Sequence, residues 1–190
     1  MAQWCSSYLE QLGIDKIWGD IFGAAAFAVM LGLGRTLYAK RGKNIEMVLF
    51  ICGIGACACY LICIISPWPV VGLIACAMTG LCTAMMWPGS LVVASNKIPS
   101  AGVFVFALMA AGGDMGAALG PQLVGIVTDA VLAFNGASSW AQSLGLTIEQ
   151  LAMKLGLLVG LLFPLISIFV FLRILRQKDK TKAELPLKNE

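Results

Sequence analysis

Histidine is absent from the 190 residues, and with it the commonest general base and metal ligand in proteins. Charge is scarce as well. Charged residues make up 12% of the chain against 59% hydrophobic ones, about half the charge of an ordinary soluble domain. So short a soluble chain could not cover that much apolar surface. Its 7 cysteines include no C-x-x-C pair. Cys52, Cys59 and Cys63 share a helical face, yet the usual imidazole and carboxylate co-ligands are missing. The thiols are therefore read as small apolar packing groups, with no metal and no cofactor expected. One deep acidic residue and no histidine leave no aspartyl pair and no Ser–His arrangement, so the chain is not expected to be an enzyme. No soluble domain, internal repeat or low-complexity tract is visible, and no nucleic-acid partner is expected.

What is present is long apolar runs. About 20 apolar residues cross a bilayer, and five such stretches stand out: Trp18–Leu37, Met47–Ile65, Val70–Val93, Val103–Ala133 and Leu155–Leu172. The expected fold is all-α, a polytopic bundle of five transmembrane helices occupying 17–173. Residues 1–16 precede it as the end of another helix and an outer loop, and a basic, charge-rich tail expected to be disordered, 174–190, follows. The fourth run is too long for a simple crossing and implies tilt or an extension beyond the bilayer. Trp87-Pro88-Gly89 should kink the third. The connections "KRGKN", "SPWP" and "NKIPSAG" are short, and "NGASSWAQSLGLTIEQ" is polar enough to lie at the surface.

The charges orient this bundle. Arg35, Lys40, Arg41, Lys43, Lys97 and the stretch from Arg173 onward hold all but two of the 13 basic residues; Lys16 and Lys154 are the exceptions. By the positive-inside rule the first loop, the third loop and the C-terminus are cytoplasmic. Trp4, Tyr8, Trp18, Trp68 and Trp140 then fall near outer boundaries, as in an aromatic belt. The protein is expected in the plasma (cell inner) membrane as a multi-pass protein. Five crossings with a cytoplasmic C-terminus place Met1 outside with no signal peptide ahead of it, which suggests a piece of a larger membrane protein.

Two motifs carry a family resemblance. "WGDIFGAAAFAVMLGLGRTLYAKRGKN" resembles the eighth helix and following cytoplasmic loop of major facilitator superfamily transporters. Leu37, Lys40, Gly42 and Lys43 match the weaker second copy of that family's loop signature. The chain departs from it with Arg35, beside Gly34, in place of the first glycine, and with Ala39 in place of the acidic residue. No charge-relay role can be carried over to that position. "GAALGPQLVG", with Gly116, Gly120, Pro121 and Gly125, is similar to the G-x-x-x-G-P-x-x-x-G pattern of the family's fifth helix and its repeat partner, the eleventh. The resemblance implies helices eight to twelve of twelve in a permease. It also implies alternating-access transport of a small solute, a sugar or other small organic molecule, with an N-terminal half as partner. The alternative is a non-transporting membrane fragment or accessory subunit.

Candidate site residues follow from the faces of the runs. Asp114 interrupts an apolar stretch at a depth where a charge costs about 3 kcal/mol or more. Alanines flank its face, whereas Gly112, Gly113, Gly116 and Gly120 lie on roughly the other side, a surface suited to close helix packing. Two readings stay open: a proton, cation or substrate site in a pathway, or a structural partner for a group in the other half. Gln122 sits at the edge of the Asp114 face. Thr79, Thr83, Trp87 and Ser90 form a polar stripe on the third run. Either they line a cavity, or the hydroxyls bond their own helix carbonyls and the indole fills a gap. The cluster Arg35, Lys40, Arg41 and Lys43 is read as a topology determinant attracted to anionic lipid, in preference to a phosphate site.

Overall fold

The computed structural model describes residues 15–98 and 102–184, together with Ser7, Glu10, Gln11 and Gly13. Most of the expected segment 1–16, with Trp4 and Tyr8, and the last tail residues 185–190 lie outside the described residues. Those described form helices and short connections. A turn at Lys16–Trp18 and a π-helical segment Gly19–Ala24 lead into α1, Ala25–Arg41. There follow α2, Ile45–Ile65; α3, Pro69–Thr83; α4, Met86–Lys97; α5, Gly102–Ala133; α6, Ala137–Ser143; α7, Ile148–Gly160; and α8, Leu162–Glu184.

Among the described residues four helical segments are long and apolar enough to cross a membrane: Ile45–Ile65, Val70–Lys97, Gly102–Ala133 and Ile148–Gln177. The expected first span, Trp18–Leu37, is not among them. The π-helical segment divides it, and the 17 residues of α1 include Arg35, Lys40 and Arg41. The tail also differs from expectation, because α8 runs on as helix to Glu184. In the polar stretch before α7, Thr147 and Gln150 form a reciprocal capping box, with the Gln150 N–H donating to Thr147 Oγ1 at 3.2 Å. That arrangement fixes where the helix starts.

Both multi-helix spans are interrupted at prolines, for the same reason. A proline has no N–H to give to the carbonyl four residues back, and its ring crowds that carbonyl. Pro88 releases Ala84, and the helix opens into a turn at Ala84–Met85 between α3 and α4. Pro164 releases Gly160, and Leu161 separates α7 from α8. By contrast α5 stays helical through Pro121.

α2 is the central helix, packed by α3, α4, α7 and α8; α1 lies outside on α3, and α5 lies outside on α7. Two buried clusters follow α2. One joins Cys63, Ala75, Cys76, Met153 and Leu157, and the other joins Ile45, Leu49, Met85, Val93 and Phe171. Cysteine serves here as a core residue, fully buried at Cys63 and nearly so at Cys76. Close approach is bought by glycine at two crossings. Gly80 lies against the Phe27 backbone, where a methyl group would have no room, and a Cβ on Gly156 would lie 2.6 Å from Thr128 Oγ1. Outward-facing Val29, Ile51, Ile65, Phe104 and Phe169 are more than half exposed. For helices with their backbone bonds satisfied internally, that surface suits lipid.

Candidate functional site

The break between α3 and α4 lies near the middle of the span Val70–Lys97. The carbonyl of Ala84, deprived of its helical donor by Pro88, accepts a hydrogen bond from Arg35 Nε of α1 at 3.3 Å. A Cβ on Gly34 would lie 2.6 Å from the Ala84 Cβ, so the helices meet closely there. Arg35 was expected in a cytoplasmic loop motif with Gly34, Lys40, Arg41, Gly42 and Lys43. The first four of these six lie within α1, and only Gly42 and Lys43 belong to the loop before α2. Contact with Ala84 puts the guanidinium at the depth of the break, about 20 Å along the helix from Lys97. A charge at such depth faces a cavity or a partner.

An open groove of about 390 Å³ adjoins it, lined by Arg35, Tyr38, Met85, Trp87, Pro88 and Leu91, with Arg35 and Trp87 exposed. Trp87 joins this groove to α5: a Cβ on Gly113 would lie 2.5 Å from the indole ring. Thus Arg35 and Trp87, singled out for unrelated reasons, come together around Pro88. The rest of the expected stripe does not join them. Thr79 is buried and donates to the Cys76 carbonyl; Thr83 Oγ1 donates to the Thr79 carbonyl at 2.7 Å. Ser90 donates to the Met86 carbonyl and lines a different, mostly apolar cavity that reaches Lys97 and Phe171. The stripe presumes one continuous helical phase, and the turn at Ala84–Met85 interrupts it.

Asp114 is exposed on α5 and makes no hydrogen bond or ion pair among the described residues. Gln122 and Asp129, on the same side of the helix, line a cavity of about 270 Å³ with Pro121, Gly125 and Ile126. The glycine surface behaves differently from expectation. Gly113 meets Trp87, but among the described residues Gly112, Gly116 and Gly120 have no neighbour within 4 Å of an added Cβ. The close packing of α5 instead uses Val124 and Thr128 against Gly156 and Gly160 of α7. The most apolar 18-residue stretch of α5 contains no buried residue. At about 48 Å, α5 exceeds the ~30 Å of a bilayer core.

Arg35 as a partner of the helix break and Tyr38 as its neighbour were not evident from sequence. The available signal was Pro88, which orphans a carbonyl at Ala84 and so asks for a donor from another helix. Among the described residues no group of three or more Cys, Asp or Glu could hold a metal ion. No family model, curated protein or solved structure matches the chain.

Proposed function

We propose that the chain is the C-terminal part of a secondary transporter of the major facilitator type, carrying a small organic solute by alternating access. The observation that carries the reading is the interrupted span at Ala84–Met85, with an arginine from a neighbouring helix on the released carbonyl. Transporters place substrate sites at mid-membrane beside discontinuous helices, because only there is irregular backbone tolerated. On this reading the π-helical segment and α1 together make a fifth crossing, giving a cytoplasmic C-terminus. The open side of α5 meets an N-terminal bundle, and the pathway runs between the two. Asp114 then lines the pathway and exchanges a proton or binds a coupled cation.

The test is Asp114→Asn in the assembled transporter, a change that keeps size and hydrogen bonding but removes the charge. The variant is expected to lose accumulation driven by a pH gradient while retaining solute exchange. Unchanged pH dependence with reduced expression and thermal stability would make Asp114 a structural partner. Wild-type accumulation and stability would remove it from the pathway.

A further inference from the structure

The guanidinium of Arg35 is only partly used. Its Nε serves the Ala84 carbonyl, and among the described residues that is its one hydrogen bond, with no carboxylate paired to it. The group lines a groove whose other walls are two aromatic rings, a proline and two aliphatic side chains. The Tyr38 hydroxyl, one helical turn from Arg35, also makes no hydrogen bond among the described residues. Arg35 is exposed on the chain's own surface, and a positive charge level with the break of a membrane-spanning segment calls for an anion. Among the described residues the bundle offers none at this place, and the groove has room for a small molecule.

We propose that the groove at the α3–α4 break binds a small organic carboxylate, its anionic group held by the Nη groups of Arg35 and the Tyr38 hydroxyl and its flat apolar body against Trp87. The chemistry favours a carboxylate over a phosphate. One guanidinium matches one carboxylate in a planar, bidentate pair, whereas a phosphate dianion asks for a second cation, and among the described residues Arg35 alone is basic in this lining. The aromatic walls stack on a ring or cover an aliphatic chain. Trp87, resting on Gly113, would pass occupancy of the groove to α5. The proposal names a substrate class for the transporter reading and rests on it for that meaning, although the anion contacts it names all lie on this chain.

The experiment uses the full chain in phosphatidylcholine nanodiscs, with Trp4, Trp18, Trp68 and Trp140 replaced by Phe so that Trp87 is the one remaining tryptophan of 5. Titration with 4-bromobenzoate, whose bromine quenches on contact, should give saturable quenching. The neutral isostere 4-bromobenzamide should bind at least about tenfold more weakly, as expected for loss of a charge-assisted hydrogen bond. Arg35→Met should abolish the preference for the anion, and Arg35→Lys should keep the preference at reduced affinity. Equal or non-saturating quenching by the two probes in the parent protein overturns the proposal, whether or not the Met variant folds. So does an unchanged preference in folded Arg35→Met. That failure would leave a transporter of neutral solutes standing, since the transport reading is decided by uptake and not by this titration.

Discussion

Pro88→Ala should mend the helix and, in doing so, take away the reason for the Arg35 contact. With an N–H at position 88, the Ala84 carbonyl regains its helical donor and turns along the axis, away from α1. Proline in a helix interior costs about 3 kcal/mol relative to alanine. Pro88 sits in the first turn of α4, where part of that cost is already avoided, so a gain of about 1–2 kcal/mol is expected. The decisive quantity is the coupling to Arg35. Arg35→Met combines two opposed effects: loss of a charge-assisted hydrogen bond, about 1.5–3 kcal/mol, and relief of a charge held at depth. Its own sign is therefore not the test. The charge term is common to the parent and Pro88→Ala backgrounds, so a double-mutant cycle cancels it and leaves the hydrogen bond. SDS-driven unfolding in mixed micelles, followed by circular dichroism for all four proteins, should give a coupling of about 1.5–3 kcal/mol. Additivity within about 0.5 kcal/mol would refute the reasoning, because Arg35 would then not be serving a carbonyl that Pro88 frees.

The glycines of α5 and α7 should behave oppositely. Gly156→Val drives a side chain toward Thr128 Oγ1 and the Val124 carbonyl, 2.6 and 3.0 Å from the added Cβ, and should cost about 1–3 kcal/mol in the same unfolding assay. Gly116→Ala meets nothing within 4 Å and should stabilise the isolated chain by up to about 1 kcal/mol through helix propensity; a loss of stability there would mean that α5 packs differently. Orientation is checked in a cysteine-free background, where single cysteines at Lys43 and Lys178 should resist impermeant thiol reagents in intact cells and one at Ser139 should react. Labelling of Lys43 from outside would reverse the topology and end the family reading.

The ends of two of the five apolar runs were legible in the sequence, whereas Trp18–Leu37 is not among the candidate spans and Leu155–Leu172 lies within the longer Ile148–Gln177. Met47–Ile65 became Ile45–Ile65, and Val103–Ala133 became Gly102–Ala133, because charged or turn-forming residues bound both runs. The effect of Pro88 was legible too, although the opening falls at Ala84–Met85, one turn earlier, where the unmatched carbonyl lies. The sides of α5 were not legible. Its surface is apolar or small almost all round, so periodicity cannot say which side meets α7, and the burial falls on Val124 and Thr128. Nor was Arg35 legible as part of the site. Its position beside basic neighbours reads as a loop motif, and its contact with Ala84 joins residues 49 apart in sequence. Only the folded arrangement of α1 on α3 brings the charge to the break.

The claim that this chain forms one side of a solute pathway is tested most directly by uptake in proteoliposomes, comparing the chain alone with the chain co-expressed with a matching six-helix N-terminal half. The chain alone should insert and show no uptake, and the assembled pair should accumulate solute, because the site needs surfaces from both bundles. Robust transport by the isolated chain would contradict that division of the site. No transport by a correctly assembled pair would contradict the transporter reading itself and favour an accessory membrane subunit.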